Sequence, residues 1–134
     1  VADADVVALA LLAEHEALAA LVGDDIPDAL VEEVEQFLRD RGGVPAFKGY
    51  HGFPATITTS VNDQVVHAIP GDVTVAEGDI LSVDAGVILD GWVSDMARTH
   101  AVGEVSDEAQ RLMSATEASL YRGIEACRPG GTVG

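Results

Sequence analysis

Lysine is all but missing from this sequence. Lys48 stands alone, and seven lysines plus arginines face 23 aspartates plus glutamates, for a formal charge of −16 over 134 residues. Nucleic acids and anionic membranes are bound through clustered cations, so neither partner is expected. The acidity bears on solubility, salt adaptation included, rather than on function. Cysteine is nearly as scarce. Cys127 by itself cannot form an internal disulfide, and a single thiol suits a reducing compartment, so the cytoplasm is the expected location. No apolar run reaches the roughly 18 residues that a membrane-spanning helix requires. The start, "VADADVVALALLAEHEALAALV", has acids and no basic n-region, which argues against a secretory leader. The chain opens without methionine and stops in the loop-like "RPGGTVG", so both ends read as cut from something longer.

What remains is ample for a core. A hydrophobic content of 48% and a mean hydropathy of +0.22 support one globular domain, residues 1–134. Residues 3 to 22, rich in alanine and leucine with acids in the first turn, predict a helix. "DALVEEVEQFLRDRGG" predicts a second: Leu30, Val31, Val34, Phe37 and Leu38 fall on one stripe, and Gly42-Gly43 is a C-cap signal. "PATITTSVNDQVVHAIPG" has β-branched runs around Asn62-Asp63 and reads as a tight hairpin closed by Pro70-Gly71. Residues 79–89 and 92–101 form a further hairpin around Asp90-Gly91, a strong turn signal. Ser106, backed by Asp107 and Glu108, opens a last helix running to about Cys127. Strands grouped between helices point to an α+β fold, with helices packed on an antiparallel sheet of hairpins.

The stretch "SVDAGVILDGWVSD" sets two carboxylates into the second hairpin. If Asp90-Gly91 is a two-residue turn, Leu89 faces Trp92, Ile88 faces Val93, and Asp95 lies opposite Gly86. Asp84 and Asp95 are then diagonal neighbours on one face, roughly 7 Å apart at Cα. The other face of the first strand carries Leu81, Val83, Ala85, Val87 and Leu89, an apolar set that fixes the register against a core. Gly86 is expected to leave open space beside the acids. Two converging ionised carboxylates require a proton or a cation between them, and a pair of divalent metals about 3.5 to 4 Å apart is one answer. Two other readings fit the same spacing: solvated acids on the open face of a hairpin, or a carboxylate dyad for acid-base work.

Around the acids, His67 is expected at a strand end, at the rim of the sheet, where an imidazole can donate to a substrate carbonyl or move a proton. His51 sits with Tyr50, Phe53 and Pro54 in the glycine-framed "GYHGFP", a stretch suited either to lining an apolar pocket or to anchoring a turn on the core. His15 and His100 have no informative context, and Cys127 reads as a core residue of the last helix.

Three stretches carry a resemblance. "FKGYHGFPATITTSVNDQVVHAIPG", "EGDILSVDAGVILDGWVSDMARTHAVGEVSDEAQRL" and "ATEASLYRGIEACRPGGTVG" closely resemble, in order and spacing, the first half of a type I methionine aminopeptidase. The match runs from about Gly43 to the end. The resemblance implies the pita-bread fold, two pseudo-symmetric halves around a dinuclear metal site, and an enzyme that removes the initiator methionine from nascent chains. It implies Asp84 and Asp95 as metal ligands and His67 as the histidine that contacts the scissile amide or the tetrahedral intermediate. It places Tyr50, Phe53 and the neighbouring His51 at the methionine pocket, with Phe47 and Thr58 where some members carry cysteines. It further implies two divalent ions (cobalt, manganese, iron or zinc), a monovalent cation near Asn62, a ribosome-associated full-length form and a monomer.

Two small departures leave these residues intact: Ala68 stands where the family favours glycine, and Val93-Ser94 where many members read His-Gly. A larger one is that the remaining histidine ligand, a second catalytic histidine and both glutamate ligands belong to a second half that these 134 residues do not include. Two aspartates supply at most about four oxygens, too few for a tight transition-metal site. The expectation is therefore the N-terminal portion of a methionine aminopeptidase, close to inactive in isolation. The alternatives are a non-catalytic binding module of the same fold and a proline-specific aminopeptidase relative.

Overall fold

The computed structural model describes residues 28–132. The helix expected over residues 3 to 22, and His15 within it, lie outside the described residues. Helix α1, Asp28–Asp40, forms where the apolar stripe predicts it and presents Val31, Val34, Phe37 and Leu38 to the sheet. Its end is a Schellman motif: Gly43 N donates to Leu38 O (2.9 Å) and Gly42 N to Arg39 O (3.0 Å), with Gly42 at φ +79°, a left-handed conformation that glycine adopts at little cost.

The described strands make one four-stranded antiparallel sheet: β1 (Val44–Pro45), β2 (Ile57–Val61), β3 (Ile80–Leu89) and β4 (Trp92–Ala101). Strand β4 flanks β3 along its whole length, from Ile80↔Ala101 to Leu89↔Trp92. Strands β1 and β2 must therefore share the opposite flank of β3, at Val87–Ile88 and Leu81–Ala85 respectively. The connection between them, residues 46–56, arches out of the sheet at the gap, and this puts a loop over the middle of β3. The β3–β4 register is the expected one, with Asp90 (φ +51°) and Gly91 (φ +82°) forming the turn.

The core lies on one face only. Leu81, Val83, Ala85 and Val87 of β3 meet Ile57 and Val61 of β2, Val34 and Leu38 of α1, and Val75 and Val102 from the loops. Each such side chain removed from water contributes about 1.5–3 kcal/mol, so this face sets the register of the sheet. The opposite face is polar, with Thr58, Ser60, Ser82, Asp84, Asp95 and Thr99 on it, and Ser82 and Thr99 share a hydrogen bond of 2.9 Å between their hydroxyls.

Two expectations fail. The hairpin around Asn62-Asp63 does not form: β2 ends at Val61 and residues 62–79 run on as a loop. The cause is local. Gln64 turns back on Val61, its N–H donating to Val61 O (3.0 Å) while its side-chain oxygen accepts from Val61 N (2.8 Å). Asn62, at φ +51°, binds Asp79 and Ile80 through its side chain, so its ties lead to the start of β3 and not to a returning strand. Cys127 is the second. It follows helix α2 (Asp107–Ala126) and is exposed, because α2 buries none of its residues against the described sheet. The start of α2 is as expected, with Ser106 Oγ accepting from Ala109 N.

Candidate functional site

The polar face of the sheet floors a pocket of about 510 Å³, walled by the 46–56 loop and by the loop that follows β2. Asp84 and Asp95 stand at its base. Asp84 pairs with Thr58 of β2 on one side and Ala97 of β4 on the other, and Asp95 pairs with Gly86, so the two acids are diagonal neighbours. Asp84 Oδ1 is buried and has no hydrogen-bond partner. Burial, then the Asp95 charge and the hydrogen bond the two carboxyls share, push Asp84 up to about 6, against a smaller downward pull from His67. A carboxyl with an orphaned oxygen, next to a second carboxyl, has the chemistry of half a cation site. Among the described residues no third acid, histidine or cysteine joins the pair in a group able to hold a metal ion.

Eight of the residues singled out from the sequence line this pocket: Phe47, Tyr50, His51, Phe53, Thr58 and His67 beside the two acids. The space expected above Gly86 is not open. A Cβ there would stand 2.7 Å from Phe47 Cε1 and 3.0 Å from Ala46 Cβ. Gly86 admits the Phe47 ring, which becomes part of the wall beside the acids. Tyr50 and His51 meet edge to face, with ring centroids 4.4 Å apart.

His67 reaches the pocket from a loop and not from a strand end, with φ at +61°. Its neighbour Ala68 is held to β2 twice: Thr59 N donates to Ala68 O (3.0 Å) and Ala68 N to Ser60 Oγ (3.3 Å). A non-glycine residue kept at positive φ by its surroundings is a frequent mark of a functional position. Sequence reasoning missed Ser60 in this role, and missed Ile69 as a pocket wall. Only their closeness to His67 in the chain could have pointed to them. Asn62 does not line the pocket. It sits at the far end of β2, with its amide donating to Asp79 Oδ1 at 2.7 Å and accepting from Ile80 N at 3.0 Å.

Residues 7–134 match the model of Metallopeptidase family M24. The chain belongs to that family. It is 40% identical to methionine aminopeptidase 1 of Bacillus subtilis over 87% of its own length and 47% of that protein. It is 53% identical to the methionine aminopeptidase of Borreliella burgdorferi over 66% of its length and 36% of that protein. The crystal structure of methionine aminopeptidase from Rickettsia prowazekii superposes with a TM-score of 0.81 at 33% identity, covering 89% of this chain and 47% of that one. The chain thus spans between about a third and a half of the relatives it matches. The helices and sheet described above are part of a pita-bread fold, as the resemblance implies, and the family implies divalent metal ions.

Proposed function

We propose that this chain supplies the aspartate half of the metal site and the substrate pocket of a methionine aminopeptidase, which removes the N-terminal methionine from peptides and nascent chains. One observation carries the reading: an acid pair with an unpartnered buried oxygen lies at the base of a pocket walled by aromatic rings. Asp84 and Asp95 would hold the divalent ions, which when bound supply Lewis acidity and a water of lowered pKa. Carboxylate oxygens suit manganese, whereas iron, cobalt or zinc would also draw on the family's histidine ligand.

The side chains define the rest. Phe47, Tyr50 and Phe53 take an unbranched thioether by apolar burial and by sulfur-aromatic contacts worth about 0.3–1.5 kcal/mol. His67 stands on the rim of the same pocket, placed for its imidazole N–H to donate to the carbonyl of the methionyl residue and to stabilise charge that builds on that oxygen. A monovalent cation beside Asn62 would draw on backbone carbonyls, since both ends of the Asn62 amide are already engaged. The same reading carries a ribosome-associated monomer in the cytoplasm.

The test is a calorimetric Mn²⁺ titration of wild type and Asp95→Asn, with a Met-Ala peptide assay on the Mn²⁺-loaded protein. Measurable heats that Asp95→Asn abolishes, and methionine release that falls by about 10²-fold or more in His67→Ala, are expected where the rest of the ligand set is present. The 134-residue chain alone is expected to bind Mn²⁺ weakly and to release only traces of methionine. Equal heats from wild type and Asp95→Asn would overturn the reading in favour of a non-catalytic module.

A further inference from the structure

Outside the pocket, a polar cluster centres on Glu35, on α1. One carboxylate oxygen, Oε1, accepts from Arg39 Nε (2.8 Å) on the same helix. The other, Oε2, accepts from Lys48 Nζ (2.5 Å) and from Thr56 Oγ1 (3.0 Å). Lys48 directly follows Phe47, and Thr56, itself buried, directly precedes β2. The two partners of Oε2 therefore bracket the segment that carries Tyr50, His51 and Phe53, with Phe47 adjoining it.

Inside that segment the backbone hydrogen bonds are short-range: Tyr50 N to Phe47 O, Gly49 N to Phe53 O, and Phe53 N to Tyr50 O. They shape the loop, and its backbone tie to the sheet, Ala46 N to Gly86 O (2.9 Å), lies just before Phe47. An exposed ion pair generally contributes little. Glu35 differs in that its side chain is only 18% exposed and both of its oxygens are engaged by charge-assisted hydrogen bonds. Lys48 first, then Arg39, hold its carboxyl down at about 2, so the clamp stays ionised across the physiological range.

We infer that Glu35 is a positioning residue for the pocket: a single carboxylate oxygen ties both ends of the 47–56 loop to α1 and thereby fixes its aromatic side chains over Asp84 and Asp95. The consequence for substrate rests on the methionine-pocket reading above, whereas the anchoring itself does not. Glu35 touches neither the acids nor the pocket, so it acts through the loop.

Hydrogen exchange tests the anchor directly. Glu35→Gln and Lys48→Met are each expected to speed exchange of the Gly49, Tyr50 and Phe53 amides by about tenfold or more, leaving β3 and β4 within about twofold. Arg39→Gln removes a comparable bond to Glu35 without touching the loop, and is expected to leave those amides unchanged. In the Mn²⁺-loaded full-length protein, Glu35→Gln is expected to raise KM for a Met-Ala peptide several-fold with kcat little changed, the pattern of lost ground-state binding. Unchanged loop exchange in both Glu35→Gln and Lys48→Met, or the same rise in Arg39→Gln, would overturn the inference. Faster loop exchange with an unchanged KM would uphold the anchor and sink the assignment of the loop to the methionine pocket.

Discussion

Asp84 is the residue on which the site turns. Because its folded-state value is raised, folding favours the protonated acid, so the stability it contributes in the metal-free protein is present at low pH and is lost as pH climbs through about 6. Replacing Asp95 by asparagine removes the neighbouring charge but not the burial, which is the larger cause. The carboxyl of Asp84 in Asp95→Asn is therefore expected to titrate lower than in wild type yet above an ordinary aspartate, as read from its side-chain ¹³C shift against pH. An unmoved titration would mean the two acids do not sense each other. Gly86 offers a steric counterpart. Gly86→Ala places a methyl 2.7 Å from the Phe47 ring, and the ring has to give way. The expected cost is about 1–3 kcal/mol in urea unfolding, together with a displaced Phe47 resonance.

At the scale of elements, α1 does two jobs from one side. Its apolar stripe seals the core, and Leu38, 1% exposed, is its most deeply buried residue there. Leu38→Ala is expected to lower stability by about 2–5 kcal/mol, measured by denaturant midpoint at constant slope. At the edge of that stripe, beside Val31 and Leu38, Glu35 holds the pocket loop. Since the Glu35 carboxyl is held below its unfolded value of 4.5, the stability it contributes is present above that pH and lost as pH falls toward about 2. Glu35→Gln is expected to flatten this acid limb of the stability profile, and an unaltered limb would show that other carboxylates dominate it. The β3–β4 hairpin was legible in advance because Asp90-Gly91 and an unbroken apolar alternation both specify one register. The hairpin expected around Asn62 was not, because its outcome depends on Asp79 and Ile80, which the chain brings to Asn62 only after β3 has docked.

For the whole molecule, charge is the dominant global property. A net −16 on 134 residues repels itself in the compact state, and the effect is screened by salt. Raising NaCl from about 0.05 to about 0.5 M is expected to raise the melting temperature, and no change would place the acids too far apart to interact. Helix α2 shows the limit of pattern reading at this scale. Its Leu112, Leu120 and Ile124 follow helical spacing, as does a core helix, yet all three remain more than half exposed. Spacing defines a face, and what covers that face is a matter of tertiary arrangement.

From the sequence alone came the α+β class, α1 with its glycine stop, the β3–β4 register, the convergence of Asp84 and Asp95, and, through its motifs, the family. All of these follow from local periodicity, turn chemistry or short fixed spacing, which the chain carries wherever it folds. Only the tertiary structure decided that Phe47 fills the space above Gly86, that His67 enters from a strained loop pinned to β2, that Cys127 stays exposed, and that Glu35 clamps both ends of the pocket loop. All but the exposure of Cys127 join residues apart in the chain, and such contacts are set by how the core closes and not by any local signal.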